Sequence, residues 1–353
     1  MNFAHRIVPD SFVASEWDDA WSRGWFRMRQ SLFTTHFLEF GRQFHSAVWL
    51  RVALTGGEPD RTFLHLKKLN RRFRVAIRPT SGPSAPQEAL YQKYRNSLAF
   101  EPAPTLRDLL LGDDTETRFP TWEVELFDGE VLIAAGFFDR GEKAAGGIIS
   151  FYDPAYQKHS LGKYLIYLKM EYCQERGLEY FYPGYLAPGE PRFDYKRSLG
   201  AASLEYLDLF TGGWSRLSPE SSTPDPLAEM TLRLEEAQNR LEALSLHPVI
   251  QRFLHLDINL NPQVRGMGLF DFPVFLDCYP RPGMAPSLVI VFDPRDDLYH
   301  LLYCRSVYRF DFPGGGEGVF ESDLLSVERS LFSTSDSGEL AACLAWFPLP
   351  VRG

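Results

Sequence analysis

Between residues 119 and 185 the hydrophobic period changes from two to 3.6 and back, and this stretch constrains the fold more than any other. Residues 119–127 and 130–138 are β-rich runs split by Asp128-Gly129, a dipeptide that favours a tight hairpin. Residues 146–152 (GGIISFY) read as a third strand. After the loop Asp153–Ser160, residues Leu161, Tyr164, Leu165, Leu168 and Tyr172 recur at helical spacing, and Gly177 closes the helix. Residues 179–185 (EYFYPGY) return to a strand, and 203–210 add another. A strand, a helix and a neighbouring strand joined this closely imply a right-handed β-α-β crossover.

The flanks divide around this unit. A chain of 353 residues suggests two or three domains. The first is expected over 1–115. It holds a helix within 16–30 that stops at Gly24, a strand over 46–54, and a helix over 86–99. The second is expected over 116–217. A linker rich in Ser, Thr and Pro (218–226) then leads to a third region over 225–353. There Leu227, Met230, Leu234, Ala237, Leu241 and Leu244 form a stripe at spacings of three and four. That stripe is too short for a coiled-coil dimer and is expected to dock on a core. Strands are expected at 286–293 and 298–311. The fold class expected is α+β, with a small mixed domain, a central mixed sheet with flanking helices, and a helix plus β-rich module.

Composition narrows the function classes. A net charge of −9 argues against a protein that coats nucleic acid over its whole surface, though a local basic patch remains compatible with it. Cys173, Cys278, Cys304 and Cys343 stand far apart and form no C-x-x-C pair, so zinc-ribbon and dithiol redox signatures are absent. Such thiols fit a reducing cytoplasm. The start, MNFAHRIVPD, has no apolar signal region, and the longest aliphatic run, Leu288 to Phe292, is far short of a membrane span. No metal is expected, since His36 and His45 lack supporting acids or cysteines. Gly314-Gly315-Gly316 lacks the Lys-Ser/Thr of a phosphate-binding loop, and no G-x-S-x-G or H-E-x-x-H occurs.

Three stretches could carry chemistry. Ser160 stands where a helix N-cap would be, and a helix N-terminus favours an anion, so Ser160, Leu161 and Gly162 are candidates for an amide-lined pocket. Only one glycine lies near that turn, which suits one phosphate or one sugar end better than a pyrophosphate. Residues 182–197 follow a strand end and bring Tyr185, Arg192, Tyr195 and Lys196, cations and phenols suited to an anionic group. Residues 61–78 carry Lys67, Lys68, Arg71, Arg72, Arg74 and Arg78 with no acid, a pattern that fits phosphate-backbone contacts. No catalytic base stands out.

Together these residues resemble the arginyl/leucyl-tRNA–protein transferases. Tyr152-Asp153-Pro154-Ala155-Tyr156 and Ser160-Leu161-Gly162-Lys163-Tyr164 are similar to a Y-D-P-x-Y…S-L-G-x-Y hallmark. Gly184-Tyr185-Leu186-Ala187 and Arg192-Phe193-Asp194-Tyr195-Lys196 are similar to a later G-Y/F-Y-I…K-M-x-Y-K hallmark. A fainter likeness covers Gly24-Trp25-Phe26-Arg27, Leu50-Arg51-Val52 and Asn70-Arg71-Arg72, so the resemblance spans about 20–210. It departs from the family in lacking cysteines before Cys173 and in placing Glu190, Arg192 and Phe193 where the family has Cys, Lys and Met.

The resemblance implies a GNAT-like acetyltransferase architecture for the central sheet, and transfer of Arg or Leu from aminoacyl-tRNA to a protein or peptide N-terminus. Aminoacyl-tRNA is then a co-substrate, and no cofactor, metal or membrane is expected. It further implies that Asp153 meets the donor's ammonium and that main chain near 151–153 meets the oxyanion and the acceptor. Ser160, Leu161, Gly162 and Tyr164 would hold the terminal adenosine. Tyr185, Arg192, Tyr195 and Lys196 would face the acceptor, and the basic run would face the acceptor stem. The competing expectations are an acyl-CoA-dependent N-acetyltransferase and a relative that binds without turnover.

Overall fold

Short polar turns separate the alternating runs, and long-range pairing gathers them into two large sheets. The computed structural model describes residues 2–40, 43–54, 60–281, 283–310 and 320–346. The run Gly314-Gly315-Gly316 lies outside them.

The N-terminal residues supply β1 (His5–Ile7), α1 (Ala14–Ser22), β2 (Phe26–Met28) and β3 (Ser31–Thr34), with the three strands in one small sheet. β4 (Phe37–Phe40) and β5 (Gln43–Ser46) form a hairpin. Next come β6 (Val48–Ala53), α2 (Arg61–Asn70), β7 (Arg74–Pro79), α3 (Ala85–Arg95) and α4 (Leu106–Leu110). The central run gives β8 (Thr121–Asp128), β9 (Val131–Arg140), β10 (Ala144–Tyr152), α5 (Leu161–Gln174), β11 (Tyr180–Leu186), β12 (Leu204–Leu207) and β13 (Trp214–Arg216). Asp128-Gly129 turns the β8–β9 hairpin with Gly129 at φ +62°, a conformation that favours glycine.

These strands form one eight-stranded sheet in the order β13-β12-β6-β11-β10-β9-β8-β7. Only β10 and β11 pair in parallel, as expected for the strands flanking α5. The expected boundary at 115 needs correction at this point. β6 and β7 come from the first region and pair with β11 and β8, so the sheet begins well before 115. Val52 and Phe181, opposite each other in that ladder, are far apart in the sequence, and local periodicity carries no trace of such a pairing.

The C-terminal unit follows α6 (Pro226–Glu242) with β14 (Val249–Phe253), β15 (Val274–Asp277), β16 (Leu288–Asp293), β17 (Leu298–Tyr308), β18 (Phe320–Glu321), β19 (Leu324–Thr334) and α7 (Ser337–Trp346). Its six-stranded sheet runs β18-β14-β15-β16-β17-β19. Met230, Leu234, Ala237 and Leu241 are fully buried against this sheet, so the stripe on α6 docks on a core. Phe3 and Phe37 enter the same core, which ties the N-terminal residues to the C-terminal unit.

Leu234 is 0% exposed at the centre of that core. Leu234→Ala is expected to destabilise the C-terminal unit by about 2–5 kcal/mol through lost transfer energy and a residual cavity. A lowered urea midpoint at unchanged slope is the expected reading, and an unmoved midpoint would refute the packing described.

Candidate active site

A break in strand pairing sets the geometry of the centre. β10 and β11 pair only over Ala144–Gly146 and Tyr180–Tyr182. The next residue on β11 is Pro183, which has no N–H and falls within the register shift against β6. Both strands also shift register at that level, β10 between Gly147 and Ile149 against β9, and β11 between Phe181 and Gly184 against β6. Beyond it β10 stays paired with β9 and β11 with β6, so the two strands part and a cleft opens between them.

Two adjoining cavities occupy the opening and meet at Gly147, Ile148, Pro183 and Lys196. The first, about 280 Å³, is lined by Tyr94, Ser150, Tyr152, Gly162, Lys169 and Tyr195 among others. The second, about 260 Å³, is lined by Trp21, Trp49, Tyr185, Phe193, Arg27 and Asp139 among others. Asp153 N donates to Ile133 O on β9. By strand alternation the main-chain groups of Tyr152 and Ser150 therefore face away from β9, toward the cleft.

Two buried lysines stand on the walls. Lys169 is 1% exposed, and its Nζ donates to Phe137 O (3.0 Å) and Ile149 O (2.8 Å) and lies 3.1 Å from Ser150 Oγ. A Cβ on Gly136 would come 2.8 Å from that Nζ, so glycine there makes room for it. Lys196 is 7% exposed, and its Nζ donates to Tyr185 O (2.7 Å) between the rings of Tyr185 and Phe193. Among the described residues neither lysine has a carboxylate partner. Burial lowers both to a pKa of about 7. The second cavity also holds a neutralised pair, Arg27 Nη1 to Asp139 Oδ1 at 2.9 Å, both buried. Burial raises the Asp139 carboxyl and the Arg27 charge opposes that rise.

The structure sorts the residues expected from the sequence. Gly162, Tyr195 and Lys196 line the first cavity, and Tyr185 and Lys196 line the second. Ser160 is not an N-cap in the expected sense. Its φ of +50° is left-handed, its side chain makes no cap hydrogen bond, and it is exposed outside both cavities. Leu161 is fully buried in the sheet core, where an apolar side chain gains most. Tyr164 is buried in the same core with its ring 6.4 Å from Phe63. Asp153 is not a cleft residue either. Its Oδ1 caps the 3₁₀ turn Pro154–His159 by accepting from Ala155 N, and its Oδ2 lies 3.4 Å from Lys93 Nζ. Arg192 is drawn away from the cavities, 3.5 Å from Glu190 and over the rings of Phe40 and Phe100.

The basic run is exposed on α2 and the start of β7. Lys67 pairs with Glu171, Arg72 with Asp128, and Arg74 lies over the Phe127 ring. Lys68 and Arg71 have no ion pair or hydrogen bond among the described residues. α2 packs on α5 through Phe63 stacked on Tyr167 (5.1 Å) and through Lys67–Glu171. Gly162, Lys163, Ile166 and Lys169 present another face of α5 to the cleft. At 100° per residue the centres of these two faces lie roughly 130° apart, with Lys163 and Tyr167 adjoining one turn apart.

The expectation from sequence overlooked Lys169, Tyr94 and the Arg27–Asp139 pair. A signal for Lys169 exists in the run Leu165-Ile166-Tyr167-Leu168-Lys169-Met170, a lone charge within an apolar helix. Away from the cleft, Asp293, Asp296 and His300 bring ligand atoms within 4.8 Å of one another. Arg295 already engages both Asp293 oxygens, and Ser333 engages His300 Nδ1, so this cluster is internally paired. All four cysteines are free, and no helix among the described residues is long and apolar enough to cross a membrane.

Comparison with known proteins agrees with the motifs. Residues 80–205 match the family described as arginine-tRNA-protein transferase, C terminus. An aspartate/glutamate leucyltransferase of Acinetobacter baumannii is 28% identical over 169 residues, 46% of this chain and 59% of that one. One from Rhizobium meliloti is 26% identical over 229 residues, 61% of this chain and 85% of that one. The chain thus spans less than two thirds of the length of the Acinetobacter relatives. Among solved structures, the C-terminal domain (DUF2156) of a putative lysylphosphatidylglycerol synthetase from Agrobacterium fabrum aligns over 40% of this chain and 47% of that one. Its identity is 14% and its TM-score 0.30.

The lysines make stability depend on pH. Their folded pKa of about 7 lies below the unfolded value of 10.5, so above pH 7 the unfolded chain binds more protons than the folded one. Stability is therefore expected to rise between pH 7 and about 8, by up to about 1.4 kcal/mol per pH unit for each lysine, before the buried cysteines, whose thiols burial raises, begin to oppose it. Thermal melts at constant ionic strength should show that rise, and Lys196→Met should remove about half of it. An equal rise in the variant would contradict the assignment.

Proposed function

We propose, from the match of residues 80–205 to the arginine-tRNA–protein transferase C-terminal family, that this chain moves an aminoacyl group from a charged tRNA to the N-terminal α-amine of a protein or peptide. The observation that carries the reading is the cleft between β10 and β11, where two buried ammonium groups without carboxylates face an open strand edge. Arginine or leucine is the donor amino acid, the family name pointing to the first and the relatives' names to the second.

An aminoacyl ester is already activated, so transfer needs position, a route for one proton and a group that meets the oxyanion. An α-amine of pKa roughly 7.7–8.0 is about a tenth neutral near pH 7, so a strong base is dispensable. On this reading Lys196, with Tyr185 and Tyr195 beside it, receives the acceptor's first residue. A buried lysine with no carboxylate partner among the described residues favours an acidic side chain, in keeping with relatives named for aspartate and glutamate. Gly162, Tyr94 and Tyr152 border the space for the donor end. Lys68 on α2 and Arg71 just past its end meet the phosphates of the acceptor stem. Arg192, turned to Glu190, is left out of the acceptor contacts.

The direct test offers leucyl- and arginyl-tRNA with peptides that begin with Asp, Glu or Lys, and reads added mass at the N-terminus. Addition to the acidic peptides is expected. Binding of charged tRNA without addition would leave a non-catalytic relative, and binding of acetyl-CoA with acetyl transfer would leave an acetyltransferase. Lys68→Glu with Arg71→Glu should weaken charged-tRNA binding at least tenfold at low salt and lower the salt slope by about 2. Unchanged binding would remove the basic helix from the RNA site.

A further inference from the structure

The first cavity contains a hydroxyl whose proton has no acceptor among the described residues. Ser150 lies on β10 just past the register shift, and its side chain lines the cavity. Lys169 Nζ reaches three oxygens at once, Ile149 O, Phe137 O and Ser150 Oγ. The two carbonyls can only accept. In its ammonium form, which prevails below its pKa of about 7, Lys169 has three hydrogens and no lone pair, so its third hydrogen is directed at Ser150 Oγ. The serine oxygen is then an acceptor toward Lys169, and its own O–H is left over. Among the described residues no acceptor takes that hydrogen. The remaining open direction is the cavity.

We propose that Ser150 Oγ–H is the oxyanion donor of the transfer reaction, and that Lys169 is the positioning residue that turns this hydroxyl into the cleft. The proposal rests on the transferase reading above and adds two residues to it. The acceptor's neutral α-nitrogen attacks the ester carbonyl carbon, and a C–N bond forms while the carbonyl π electrons move to oxygen. Ser150 donates its hydrogen bond to that oxyanion and remains protonated. As the carbonyl re-forms, the bond from carbon to the ribose oxygen breaks. The ammonium nitrogen loses one proton and the ribose hydroxyl gains one, so charge and atoms balance with no other reactant. Lys169 transfers no proton in this scheme. Its hydrogen bonds to the carbonyls of Phe137 and Ile149 hold the shifted segment of β10, and its third bond orients the serine.

The structure also admits a simpler role for Lys169, that it only satisfies carbonyls displaced by the register shift. The experiment separates the two with charged tRNA and an Asp-initiated peptide as substrates. Ser150→Ala is expected to lower kcat by about 10²–10³ with KM for both substrates within threefold. Ser150→Thr, which keeps the hydroxyl, should recover most of that loss. Lys169→Met should also lower kcat, and the double variant should be no slower than Ser150→Ala alone, since one residue acts through the other. A Ser150→Ala enzyme that keeps more than a third of wild-type kcat overturns the proposal. Losses that multiply in the double variant overturn the role given to Lys169. Should Lys169→Met fail to fold, as a thermal melt would show, the two serine variants decide alone. A wild-type chain that adds no amino acid to any peptide overturns the transferase reading itself, a result distinct from a wild type that works and a Ser150→Ala that works equally well.

Discussion

The parting of β10 from β11 governs the rest of the centre. A sheet interior is an unfavourable place to leave carbonyls unpaired, at roughly 1–3 kcal/mol for each buried group. The protein meets that demand with ammonium groups. Lys169 takes the carbonyls of Phe137 and Ile149, and Lys196 takes the carbonyl of Tyr185. Hydrogen bonds from a charged donor are worth about 1.5–3 kcal/mol each, which offsets part of the desolvation of each ammonium. The remainder of that desolvation appears as their lowered pKa. The lysines that take these carbonyls also line the cleft, in a chain of net charge −9.

Much of this was legible beforehand, and the limits have physical causes. Asp128-Gly129, the strand at 146–152, the helix closed by Gly177 and the strand at 179–185 all follow from local turn chemistry and hydrophobic period, and all stand in the structure. The docking of α6 followed from its stripe. The limit at 115 could not be read, because β6 and β7 join the sheet through partners remote in sequence. Ser160 misled because residue type and position suggest a cap, whereas a cap also requires extended backbone, and Ser160 is left-handed. Leu161 and Tyr164 share a motif with Gly162, yet a helix one turn long already points its residues in different directions. Gly162 faces the cleft while the other two face the core.

That division of α5 bears on what kind of molecule the protein can engage. The cleft lies along Gly162, Lys163, Ile166 and Lys169, and the exposed basic helix α2 lies against Tyr167 and Glu171. Lys68 and Arg71 line neither cavity of the cleft. A compact ligand would use one face or the other. A ligand that uses both needs a charged body spread over one side of α5 and a thin reactive end that crosses to the other. A duplex stem that ends in a few unpaired nucleotides has that form, and so has coenzyme A with its phosphate-bearing nucleotide and thin thioester arm, whereas a free amino acid has no body to place on Lys68 and Arg71. The separation of patch from cleft, which at first weakens the link between them, therefore favours a substrate whose anchoring charge and reacting ester are set well apart.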